Sequence, residues 1–146
     1  MKILIYNIDK GGLKNYSKYL LNTLKNQNIE ITLFDKIKNY DFDIIHIQFE
    51  HTLFRPFGLS LIPFLIKLKI HNKKIVITNH TILSRKEIYS RNKLVNIIKK
   101  IFFPLDEILM GILADKIIAH TSYARNILIK DYHVPDKKVE IIPHGI

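Results

Sequence analysis

Two histidine-bearing stretches carry the residues best suited to chemistry. The first is Asp43-Ile44-Ile45-His46-Ile47-Gln48-Phe49-Glu50-His51, and in the second Lys74-Ile75-Val76-Ile77 runs into Thr78-Asn79-His80-Thr81. A neutral imidazole donates one hydrogen bond and accepts another, and its near-neutral pKa lets it bind hydroxyl groups or carry charge. His46 alternates inside an apolar strand and reads as a satisfied core residue. The Thr-Asn-His-Thr quartet directly after a buried strand makes a poor core and a reasonable site, so His80 is expected to face a ligand with Asn79 and Thr81 beside it. Glu50 could act as a base beside His51; a plain loop carboxylate is an equal reading. These histidines do not make a metal set: His80 stands alone, no H-E-x-x-H spacing occurs, and neither metal nor cofactor is expected. No local signature of a Ser-His-Asp nucleophile is present either.

Three shorter motifs accompany them. The pair Gly11-Gly12 follows an apolar stretch and precedes a helical pattern, so the backbone can turn tightly there and expose helix amides that attract phosphate. It is neither the dinucleotide fingerprint nor a P-loop, because Leu13, Lys14 and Asn15 follow with no third glycine. Thr121-Ser122 reads as a helix cap, a role compatible with ligand contact. In Pro143-His144-Gly145 the glycine leaves the backbone free to bend.

The elements that must position these residues alternate. Runs rich in Ile and Val at Lys2 to Ile8, Ile29 to Phe34, Ile44 to Gln48, Lys74 to Thr78, Lys116 to His120 and Val139 to Ile142 read as strands. Helical patterns fall at Gly12 to Lys25, about Leu59 to Lys69, Arg85 to Leu113 with a break near Pro104, and Tyr123 to Tyr132. Near-continuous apolar strands alternating with helices predict an α/β domain, a doubly wound Rossmann-like parallel sheet with helices on both faces. Ligands then belong at the carboxyl ends of the strands, where both histidine stretches end.

Composition narrows the classes. At 146 residues and 47% hydrophobic content the chain suits one folded domain, and the absence of cysteine excludes disulfides and thiolate metal sites. The longest apolar candidate, Phe57 to Ile66, is too short to span a bilayer, and Met1 to Ile5 lacks the features of a cleaved leader, so a cytoplasmic protein is expected. The net charge of +10 implies an anionic partner. Basic residues crowd the stretch from Lys67 to Phe103 at the spacings of an amphipathic helix. This reads either as a solvated basic face or as a contact with an anionic membrane surface, with Phe102-Phe103 entering the headgroups and the protein peripheral at the inner face. No zinc-finger spacing, aromatic-rich RNA motif or basic tail points to nucleic acid.

Read together, GGLKNYSKYLLNTLKNQNIEITLF, the D-h-h-H-h-Q segment ending at Gln48, the h-h-h-T-x-H-T element ending at Thr81 and the terminal Pro143-His144-Gly145 resemble the N-terminal domain of family 4-type glycosyltransferases, the retaining GT-B enzymes. Gln27-Asn28-Ile29 stands where that family carries Gly-His. The resemblance implies that residues 1–146 are the acceptor-side Rossmann-like domain, with the C-terminal nucleotide-sugar-binding domain absent. It implies a retaining transfer of sugar from a nucleotide-sugar donor to a glycan or lipid-linked acceptor. It also implies that His80 contacts the donor sugar, that Gly11 and Gly12 reach its diphosphate, and that Pro143, His144 and Gly145 form the interdomain hinge. Glu50, His51, Asn79, Thr81 and Ser122 fall to the acceptor or cleft. Negligible activity is expected from the domain alone. Two alternatives stand beside this reading: a subunit of a split transferase that meets its C-terminal domain on a partner chain, and a non-enzymatic Rossmann-like module for an anionic ligand.

Overall fold

Short segments dense in Ile, Leu and Val gain most by burial on both sides, which parallel pairing between helices provides. The computed structural model describes residues 1–6, 12–24, 30–34, 40–51, 54 and 60–143. Along them run β1 (Lys2–Tyr6), α1 (Gly12–Leu24), β2 (Glu30–Phe34), β3 (Ile44–Phe49), α2 (Leu61–Ile70), β4 (Lys74–Asn79), α3 (Lys93–Leu113), β5 (Lys116–Ala119), α4 (Ser122–Lys130) and β6 (Val139–Ile141). The strands form one sheet in the order β2-β1-β3-β4-β5-β6, and every pair is parallel. This is a doubly wound, Rossmann-like α/β fold. The winding reverses between β1 and β3, which puts a crevice at the carboxyl edge of the sheet.

Alternation along the strands sorts side chains onto two faces. Ile45, Ile47 and Phe49 of β3 share a face with Ile75 and Ile77 of β4 and Ile117 of β5. They form one core with Leu61, Leu65 and Leu68 of α2, Met110 of α3, and Ile127 and Leu128 of α4, all buried. The other face carries Ile5, His46, Gln48 and Thr78, with Ile5 level with His46 and Gln48 level with Thr78. Asp115 locks α2 to the sheet, its Oδ2 accepting from the Ile75 amide at 2.8 Å and from Lys69 Nζ at 2.6 Å. Burial works against that carboxylate's charge, yet Lys69 and the Ile75 amide hold its pKa below the usual range. The turn from α2 into β4 is a Schellman closure: Lys73 N donates to Leu68 O and Asn72 N to Lys69 O, with Asn72 left-handed at φ 54°.

Two expectations need correction. The segment from Arg85 does not form a helix until Lys93, because Asn92 caps there by accepting from the Val95 amide, and Asn96 Oδ1 accepts from the amides of Tyr89 and Ser90. From Lys93 the helix then runs unbroken through Pro104. A helix-interior proline costs about 3 kcal/mol, which is offset by burial of Phe103 and Met110 on the core face at about 1.5 to 3 kcal/mol each. The basic stretch from Lys67 to Phe103 is likewise not one surface. It contains β4, whose Ile75 and Ile77 are fully buried, and Phe103 faces inward at 7% exposure while Phe102 is half-buried.

Candidate functional site

The carboxyl ends of β3, β4 and β5 bring two polar clusters together, one on each face of the sheet. On the face shared with Ile5, His46 Nε2 lies 2.7 Å from the Thr78 hydroxyl and 3.3 Å from Gln48 Nε2. Burial pushes the His46 imidazole down to about 4, so it is neutral; an amide nitrogen only donates, and Nε2 is therefore its acceptor. With its amide nitrogen so engaged, Gln48 turns Oε1 outward, and His80 Nε2 donates to it at 2.9 Å. His80 Nδ1 lies 3.3 Å from His120 Nε2, and His120 Nδ1 donates to the carbonyl of Ile142 at 2.9 Å. A single relay thus runs from His46 through Gln48, His80 and His120 to the end of β6.

Hydrogen count limits which bonds this relay makes at once. Both outer partners, Gln48 Oε1 and Ile142 O, accept only, so His80 Nε2 and His120 Nδ1 must each carry hydrogen. The contact between the rings needs a third, one more than two neutral imidazoles possess. A hydrogen bond between the two rings therefore forms only when the pair takes up one more proton.

The second cluster lies on the α3 side and is buried. Asn79 Nδ2 donates to both oxygens of Glu107 at 2.9 Å, His51 Nε2 donates to Glu107 Oε1 at 3.0 Å, and His51 Nδ1 stands 3.8 Å from Asp106 Oδ2. Phe103 stacks on the His51 ring with centroids 4.2 Å apart. Burial alone would lower the pKa of His51, but Asp106 and Glu107 outweigh it and push it up to about 9, so the ring is an imidazolium. The same burial pushes the Asp106 carboxyl up. Asn79 Oδ1 in turn accepts from the Thr81 amide at 3.2 Å, so the α3 carboxylate fixes the turn that carries His80.

The residues expected from sequence divide accordingly. His80 and Thr81 are half-buried at the end of β4, Glu50 is half-buried after β3, Ser122 opens α4 in an exposed position, and Pro143 is exposed one residue after Ile142. Thr121 supplies the α4 cap by accepting from the Ala124 amide at 3.0 Å. His51 and Asn79, 4% and 2% exposed, sit behind the edge as supports. Gly12 is the first residue of α1; Gly11, His144 and Gly145 lie outside the described residues. Sequence reasoning took Gln48 and Thr78 only as members of their motifs and missed His120, Asp106 and Glu107. The register between β3 and β4 would have paired Gln48 with Thr78, but nothing in spacing aims α3 carboxylates at His51. Among the described residues no group of three or more His, Asp or Glu is placed to hold a metal ion.

Comparison with curated proteins gives no match. A match to a family model covers most of the chain, starting in β2 and taking in both clusters and the terminal Pro143-His144-Gly145, while β1 and the Gly11-Gly12 pair precede it. That family is Glycosyltransferase Family 4, matched over residues 31–146, and the chain belongs to it.

Proposed function

We propose that this glycosyltransferase domain is the acceptor-side half of a retaining GT-B enzyme, moving a sugar from a nucleotide-sugar to a glycan or lipid-linked acceptor, with His80 at the reacting centre. The observation that carries the reading is the His80–His120 pair, held by Gln48 and the Ile142 carbonyl at the carboxyl edge of the sheet. In the transfer the anomeric carbon exchanges its bond to a diphosphate oxygen for one to an acceptor hydroxyl oxygen, and the hydroxyl proton leaves with the diphosphate. Negative charge grows on the departing oxygens, and imidazole donors fixed beforehand stabilise it without reorganising. The Gly11-Gly12 amides add donors for the diphosphate in this reading. Glu50, Thr81 and Ser122 are the acceptor contacts, Pro143 to Gly145 border the cleft, and no metal takes part. His51 and Asn79 act as positioning residues.

The nucleotide site belongs to a second domain in this reading, so residues 1–146 alone are expected to transfer negligible sugar. The test is transfer of labelled sugar by the full-length enzyme joining this domain to a nucleotide-sugar-binding domain. His80→Ala should lower kcat by about a hundredfold or more, the size of a lost transition-state donor, with the melting temperature little changed. Wild-type turnover by His80→Ala, or robust transfer by purified residues 1–146, overturns the proposal.

A further inference from the structure

Parallel pairing of β4 with β5 brings together two histidines that lie forty residues apart. The register of the two strands ends at Thr78 beside Ile118, and His80 and His120 stand two residues further along each chain. His80 Nδ1 lies 3.3 Å from His120 Nε2, with the ring centroids 4.9 Å apart and the planes inclined at 50°. Rings meeting nitrogen to nitrogen in a straight line would hold their centroids apart by that 3.3 Å plus a ring radius at each end, which is more than 4.9 Å. The approach is therefore oblique. A single N–H···N bond prefers a straight path, whereas two bonds to one tetrahedral ion meet at an angle.

Distance and outer contacts both match metal ligation. Zinc–nitrogen bonds of about 2.0 to 2.1 Å in a tetrahedral ion place two imidazole nitrogens about 3.3 to 3.4 Å apart. A metal-ligating histidine also donates its other ring N–H to a carbonyl or carboxylate, which fixes the tautomer and the orientation of the ring. Both rings have such an acceptor. His80 Nε2 donates to Gln48 Oε1 at 2.9 Å, and His120 Nδ1 donates to the Ile142 carbonyl at 2.9 Å. Gln48 is fully buried and is fixed in turn by donating to His46 Nε2 at 3.3 Å, so the support behind His80 is rigid. With the hydrogens of the neutral pair committed to the outer nitrogens, the lone pairs belong to the inner two, His80 Nδ1 and His120 Nε2. A metal ion between them takes the place of the proton that a bond between the rings requires.

We infer that His80 and His120 form a zinc-binding site, with His80 Nδ1 and His120 Nε2 as its two protein ligands and water or a ligand oxygen completing the tetrahedron. Imidazole suits zinc, copper and nickel, whereas magnesium demands an octahedron of oxygens. Structural and catalytic zinc sites use four or three protein ligands, so a pair of histidines makes a weaker site whose ion comes and goes. The site rests on the geometry of the pair and not on the transferase reading. Its consequence for turnover does rest on that reading: zinc withdraws His80 from the transferred sugar and acts as an inhibitor, while the transfer itself uses no metal.

The experiment is calorimetric titration of the metal-stripped, tag-free protein with Zn2+, with Mg2+ as the control. One Zn2+ per chain should bind, Mg2+ should not, and Zn2+ should raise the melting temperature. His80→Ala and His120→Ala should each abolish the binding, and thermal unfolding without zinc checks that both variants fold. Gln48→Leu removes the acceptor behind His80 and should weaken binding about tenfold or more. His71→Ala, an exposed imidazole at the opposite edge of the sheet, should leave it unchanged. In the full-length enzyme Zn2+ should inhibit transfer; zinc bound at the pair without inhibition would leave the site standing and overturn the place of His80 at the reacting centre. No zinc binding by the parent, binding kept by both histidine variants, or an equal loss in His71→Ala, each overturns the inference.

Discussion

Glu107 receives the side-chain amide of Asn79 on both of its oxygens, at 2.9 Å each, while the same carboxylate accepts from His51. One buried residue of α3 thereby fixes the residue next to His80 and neutralises an imidazolium. Glu107→Gln keeps the shape but turns an acceptor into a donor facing the donors of Asn79 and His51. Removing one partner of a buried ion pair costs about 3 to 5 kcal/mol, so the urea midpoint should fall sharply. An unchanged midpoint would show that the pair carries no stability.

His46 and His51 set opposite limbs of the stability curve. His51 has a folded pKa raised to about 9 from 6.5, so the stability it contributes is fully present below about pH 6.5 and is lost as pH rises through 9. At about 1.4 kcal/mol per pKa unit its share is on the order of 3 kcal/mol. His46 is depressed to about 4, so it favours the fold above pH 6.5 and withdraws that favour as pH falls toward 4. Denaturant titrations across pH should therefore show His46→Gln flattening the acid limb and His51→Gln flattening the alkaline limb. Exchange of these two effects would refute the assignment.

His46 and His80 also divide by phenotype. His46 holds the Gln48 amide from inside the sheet, so His46→Ala should lower stability by about 1 to 3 kcal/mol. His80→Ala leaves packing intact and should stay within about 1 kcal/mol of the parent while abolishing most transfer in the full-length enzyme. His120→Ala removes the ring that faces His80 Nδ1 and should lower kcat more than it raises KM. An active His80→Ala beside a stable, inactive His46→Ala would invert the roles assigned here.

Gly111 lies inside α3 where a Cβ would come within 2.6 Å of Val134 Cγ2. Alanine gains up to about 1 kcal/mol of helix propensity over glycine, but overpacking a tight contact costs about 1 to 3 kcal/mol. Gly111→Ala should therefore destabilise, and Val134→Ala placed on top of it should cost less than it does in the parent. Additive effects in a thermal double-mutant cycle would rule the clash out.

The sequence by itself determined the layered fold. Ile- and Val-rich runs are legible as buried parallel strands because burial on both faces leaves no polar alternation, and the strand and helix count follows from that. It also determined that Thr78-Asn79-His80-Thr81 stands at a strand end, since a polar quartet after an apolar run has nowhere else to go. Only the tertiary structure decided what those residues do. Adjacent residues of a strand point to opposite faces, so Asn79 turns to Glu107 and His51 while Gln48 and Thr78 turn to His46, and His80 meets His120 from a strand forty residues on. The path of α3 through Pro104, and the side it leaves to solvent, were decided there too, because local propensity opposes that helix and packing of Phe103 and Met110 against the core overrides it.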